Sequence, residues 1–134
     1  MPLLIGFVLA VAVFLFARGV GLDRDRAFYP TVLIVVAHYY GLFAILGGAG
    51  RPLLNETVFI AAFLLLAVLG FKRTPWFAVL GLFGHGVFDF FHAHLISNPG
   101  LPVYWPMFCL SYDVTAAAGL AWLLLRAPIG GRAH

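Results

Sequence analysis

Five apolar runs, each close to the length that spans about 30 Å of hydrocarbon, divide this chain and leave it few other ways to fold. They cover about residues 2–20, 27–47, 53–71, 75–96 and 104–125 of 134. The chain is therefore predicted to form one domain, residues 1–134: an all-α, polytopic membrane bundle of five transmembrane helices. Composition points the same way, with 63% hydrophobic and 10% charged residues, against about 25% charged in soluble domains. A water-soluble enzyme is excluded. So is a nucleic-acid partner, because the chain has only eight Lys and Arg, and these do another job. The one cysteine, Cys109, excludes an intrachain disulfide and a cysteine-built zinc knuckle.

The runs end at recognisable signals. Thr74-Pro75 reads as a helix cap followed by proline in the first turn. Gly47-Gly48-Ala49-Gly50 stops the second helix and Ser97-Asn98-Pro99-Gly100 the fourth, while Tyr104-Trp105-Pro106 sets aromatics at an interface and restarts the chain. With the N-terminus outside, the cytoplasmic segments hold Arg18, Arg24, Arg26, Lys72, Arg73, Arg126 and Arg132, and the outer segments only Arg51. Seven against one orients the bundle with its C-terminus cytoplasmic and its basic groups facing anionic headgroups of the lipid bilayer. A four-helix form with the first run cleaved is the weaker alternative: Ala10-x-Ala12 resembles a cleavage site, but no basic segment precedes it.

Five ionisable residues then need explaining: His38 in the second helix, His85, Asp89 and His92 in the fourth, and Asp113 in the fifth. An aspartate at a helix centre costs about 2.5–3.5 kcal/mol on the insertion scale, so such residues usually face a bundle interior. In Gly84-His85-Gly86-Val87-Phe88-Asp89-Phe90-Phe91-His92, the 3.6-residue period puts Asp89 about 40° from His85 and His92 about 20° the other way. The three form one stripe. His94 falls on the opposite side and reads as interfacial, and Gly81 allows a close helix approach beside the stripe. His38, His85 and Asp113 share a depth near the midplane, while His92 comes level with Glu56 and Cys109. On the fifth helix, Cys109, Asp113 and Ala116-Ala117 share a face with small side chains.

Imidazoles and carboxylates are the usual ligands of zinc and non-haem iron, and a divalent cation also neutralises two acids placed in lipid. The predicted metal ligands are His38, His85, Asp89 and Asp113, with His92 as a fifth ligand or a partner that orients the others. Asp89 and Asp113 are also the candidate catalytic groups, as general bases. Plainer readings stand beside these. His38 alone serves equally well as hydrogen-bonding glue between helices, and Glu56, next to Asn55 at a helix start, reads as structural. Cys109 reads as a small buried hydrophobe, the sequon Asn55-Glu56-Thr57 is common by chance, and His134 belongs to a polar tail.

The order Arg24-Asp25-Arg26-x-Phe28-Tyr29-Pro30-Thr31, His85-Gly86-x-x-Asp89-Phe90-x-His92, Asn98-Pro99-Gly100-x-Pro102-x-x-Trp105-Pro106 and Phe108-Cys109-x-x-x-Asp113 resembles a family of small bacterial integral membrane proteins of unknown function. The resemblance covers most of the chain and implies the inner membrane of a bacterium. More faintly, the site type is similar to that of the seven-helix alkaline ceramidase and lysoplasmalogenase metal hydrolases. This chain departs from them in having five helices, and His-x-x-x-Asp in place of His-x-x-x-His.

Three functions are compatible with these residues. One is a metal-dependent enzyme acting on a lipid-like substrate, with the outer loop 97–106 as a lid. The second is an ion or proton transporter, which needs polar groups along both halves of the bundle, whereas the inner halves are poor in them. The third is an accessory subunit of a larger membrane complex holding haem b between His38 and His85, without a Cys-x-x-Cys-His attachment motif. The Gly- and Ala-rich faces also allow a homodimer.

Overall fold

A computed structural model describes residues 2–25, 27–47, 50–95 and 102–126, with the backbone alone at 50–53 and 93–95. The signals at 48–49 and 97–100, the side chain of His94, half of the loop 97–106, Arg26, Arg51, Arg132 and His134 lie outside the described residues or side chains. The described residues form five α-helices: α1 (Pro2–Val20), α2 (Phe28–Leu46), α3 (Gly50–Lys72), α4 (Trp76–Leu95) and α5 (Trp105–Arg126). A short 3-10 turn, Leu22–Arg24, joins α1 to α2 after Gly21, whose φ of 98° suits a residue without a Cβ. There Arg18 reaches Asp23 at 3.3 Å. Before α4, the Thr74 hydroxyl accepts a hydrogen bond from the Trp76 amide at 3.4 Å, as a capping residue should.

Four of the helices are long and apolar enough to cross a membrane: α1, α2, α5 and the Leu54–Lys72 part of α3. The fifth helix, α4, carries His85, Asp89 and His92 in its middle and second half, among otherwise mainly apolar residues. The packing suits lipid better than water. Gly6, Ala10 and Ala17 are the buried residues of α1, while Leu4, Phe7, Leu15 and Phe16 point outward. Where the surroundings are as apolar as leucine, small residues at the contacts and large ones outside are expected.

Neighbours run in the order α1, α5, α4, α3, α2, and α2 also touches α4. The chain therefore packs its first helix on its last. The Ser111 hydroxyl fastens this contact by donating to the Leu3 carbonyl at 2.5 Å. Between α1, α2 and α5 lies a groove of about 360 Å³, lined by residues that include Phe28, Val32, Val36, Tyr39, Trp105 and Cys109. On α3 the buried positions Glu56, Phe63, Ala67 and Gly70 recur at helical spacing, so α3 turns one face to α2 and α4.

Candidate metal centre

The period of α4 brings its polar stripe to the inside. Ala78, Leu82, His85, Asp89 and His92 are all buried, on the face that meets α2, α3 and α5. Asp113 enters from α5 with Cys109, Ala116, Ala117 and Leu120 buried along the same helix. Close approach is possible because Gly86 has no side chain. A Cβ there would lie 2.8 Å from Val114 Cγ2 and 3.6 Å from Asp113 Cβ. At Gly81 the space is filled by Leu33, whose Cδ2 would sit 2.3 Å from an added Cβ.

The His85 Nδ1–H donates to Asp113 Oδ2 at 2.6 Å, and Asp89 Oδ1 lies 3.5 Å from the same nitrogen. The Tyr40 hydroxyl donates to Asp89 Oδ1 at 2.5 Å. His85, Asp89 and Asp113 each offer a ligand atom, all within 4.8 Å of one another, and the three residues are at most 1% exposed. Three buried side-chain atoms in the cluster have no hydrogen-bond partner among the described residues: His85 Nε2, Asp89 Oδ2 and Asp113 Oδ1. An unsatisfied buried acceptor costs about 1–3 kcal/mol. A cation bound among these oxygens would remove that cost.

A second pair sits one turn further along α4. The His92 Nε2–H donates to Glu56 Oε2 at 2.6 Å, and both residues are buried. Tyr40 joins the two groups: its ring stacks on His92 at 4.0 Å and 11°, and less closely on His85 at 5.9 Å. Phe63 and Phe88 close over His85 at 4.7 and 5.7 Å. The site is thus a polar string inside an aromatic sleeve.

The structure gathers His85, Asp89 and Asp113 and leaves His92 beside them, attached to Glu56. It does not bring His38 there. His38 lies on the exposed side of α2, and its Nδ1–H donates back to the Ile34 carbonyl at 2.7 Å. A haem shared by His38 and His85 does not fit either, because one ring faces outward and the other is enclosed by Phe63, Phe88 and Tyr40. Two groups that the sequence reading undervalued belong to the string. Glu56 is a partner of His92 and not merely an acid near a helix start, and Tyr40 holds Asp89. For Glu56 the signal was depth: it comes out level with His92 along their helices.

A double-mutant cycle checks the Glu56–His92 pair. Glu56→Ala, His92→Ala and the double variant are expected to show a coupling of about 1 kcal/mol in thermal unfolding in detergent. Additive losses would mean that Glu56 acts only on the helix end.

No protein-family model, curated protein or solved structure matches the chain.

Proposed function

We propose that the chain is a membrane-embedded metalloprotein that holds a divalent cation on His85, Asp89 and Asp113 and acts on an apolar, lipid-like substrate. The observation that carries this reading is the convergence of three fully buried ligand side chains from α4 and α5 to within 4.8 Å. Charge supports it. Two carboxylates and a neutral imidazole sum to minus two, which a divalent ion cancels in a place where net charge is costly. The donor set suits zinc or iron.

When bound, such an ion supplies Lewis acidity and a water acidified to near neutrality. The protein does the rest. Tyr40 fixes Asp89 through its hydroxyl, and His92 with Glu56 braces the next turn of α4. Asp89 Oδ2 and Asp113 Oδ1, which have no hydrogen-bond partner among the described residues, would hold the ion, and a carboxylate oxygen that the ion leaves free would serve as the general base. The groove between α1, α2 and α5 passes Cys109, one helical turn from Asp113, and its lining is mostly apolar, with Thr31, Tyr39 and Tyr112 among it. This geometry favours an ester or amide of a long-chain lipid.

In this reading α4 is the fifth crossing, the N-terminus is outside, and the chain belongs to the inner membrane of a bacterium, with the family resemblance of its motifs in support. Elemental analysis of protein purified in mild detergent without chelator tests the centre. About one zinc or iron ion per chain is expected, absent from His85→Ala and retained in His38→Ala. Fatty acid release from lipid extracts, followed by mass spectrometry, is expected to depend on that ion. A wild-type chain that binds neither metal overturns the proposal.

A further inference from the structure

Along the contact of α1 with α5 lies a hollow of about 360 Å³, formed by Val11 and Phe14 of α1 and by Thr115, Ala118, Gly119 and Trp122 of α5. Gly119 shapes it. The Phe14 ring comes to within 2.8 Å of where a Cβ of that glycine would stand, and Trp122 meets the same ring edge-on at 6.2 Å. Both helices are long and apolar enough to cross a membrane, so the hollow opens on hydrocarbon and lipid chains fill it in any bilayer. What the protein can select there is the headgroup.

Two arginines stand at one end of that hollow. The helices run parallel, since Gly6 packs against Ser111 and Phe14 against Gly119. On α1, Arg18 falls about 20° round from Val11, and on α5, Arg126 falls about 20° from Thr115 and about 40° from Trp122. Arg18 stands about 6 Å beyond Phe14 along the axis, and Trp122 about 4.5 Å beyond Gly119, the residue that Phe14 touches. The Arg126 guanidinium turns back over the Trp122 ring, 4.7 Å from its centroid, and so returns to about the level of Arg18. Both arginines are exposed. The Arg18 Nη1–H donates to Asp23 Oδ2 at 3.3 Å, which pins that guanidinium and leaves its other donors open. Arg126 has no carboxylate partner among the described residues. With Asp23 counted, the pair still carries a net positive charge at the mouth of an apolar trough. A phosphate accepts from two guanidinium groups, whereas a zwitterionic headgroup brings a cation of its own to the same charges. We propose that the α1–α5 contact binds one anionic phospholipid, with an acyl chain along the hollow and its phosphate on Arg18 and Arg126.

This inference stands apart from the His85 centre and does not need it. The test adds phosphatidylglycerol, or phosphatidylcholine with the same chains, to the delipidated full chain in mild detergent and counts bound lipid by native mass spectrometry. One phosphatidylglycerol per chain is expected, held at least about fivefold more tightly than phosphatidylcholine, the worth of one basic group at an anionic surface. Arg18→Gln and Arg126→Gln, surface changes whose fold is checked by circular dichroism, are each expected to weaken it about fivefold and together to abolish the preference. Ala118→Phe fills the hollow, keeps both charges and is expected to weaken binding as well. Lys72→Gln removes the same charge at the end of α3, which packs on α2 and α4, and is expected to change nothing. Equal binding of the two lipids, an equal loss in Lys72→Gln, undiminished binding in Ala118→Phe, or displacement of the lipid by inorganic phosphate overturns the proposal.

Discussion

Asp113→Asn is expected to empty the metal centre while leaving the bundle folded, whereas Asp113→Ala empties it and weakens the bundle. The two variants separate charge from packing. Asparagine keeps the volume and an acceptor oxygen for the His85 Nδ1–H, now 2.6 Å from Oδ2 of the acid, but it removes one of the two negative charges that hold a cation. Alanine removes the acceptor as well, leaving a fully buried imidazole N–H without its partner. In a soluble core that loss is worth about 1–3 kcal/mol. In lipid the average for contacts between helices is nearer about 0.6 kcal/mol, because separated helices find other partners. Here both groups are completely enclosed by protein, so the expected loss for Asp113→Ala is about 2 kcal/mol, read as a lower thermal midpoint in detergent. Elemental analysis of the same samples gives the second readout. Metal retained by both variants would mean that Asp113 supports His85 and takes no part in binding an ion.

How much of this site the sequence reveals depends on what each residue is compared with. The α4 stripe is legible because three polar groups at i, i+4 and i+7 in an apolar helix define a face without reference to any other helix. Asp113 is legible for a similar reason, since the neighbouring Cys109, Ala116 and Ala117 mark where another helix approaches. His38 is different. Residues on every side of α2 are apolar, so periodicity cannot say which side is inward, and the buried face turns out to be that of Leu33, Val36, Ala37 and Tyr40. Tyr39 and Tyr40 show the same ambiguity resolved in opposite ways, one lining the groove and the other holding Asp89.

Glu56 was obscured by a boundary. Starting the third helix at about Leu53 places Glu56 in its first turn, where an acid needs no more explanation than the helix dipole. The helix begins at Gly50, so Glu56 falls in the second turn, on the same face as Phe63 and Ala67. Boundaries of helices are the least certain part of a sequence reading. In this case a shift of three residues separates a cap from a buried hydrogen-bond partner.

Gly86 provides a test of the site that changes no polar atom. An added methyl would meet Val114 Cγ2 at 2.8 Å and the Leu110 carbonyl at 3.5 Å, and valine, stiff at χ1 in a helix, has little room to turn away. The two helices must separate by a few tenths of an ångström, and Asp113, whose Cβ is 3.6 Å from the new methyl, moves with α5 away from His85. Two opposing terms then set the stability. Overpacking costs about 1–3 kcal/mol, and replacing glycine by alanine inside a helix returns about 1 kcal/mol. The net effect on unfolding is therefore small, about 1 kcal/mol, while metal affinity is expected to fall by about tenfold, because ligand placement is more sensitive than packing. Val114→Ala in the same chain removes the colliding atom and is expected to restore metal binding. If Gly86→Ala binds metal as the parent does, or if Val114→Ala fails to rescue a loss, the approach of α5 at Gly86 is not what holds Asp113 against His85.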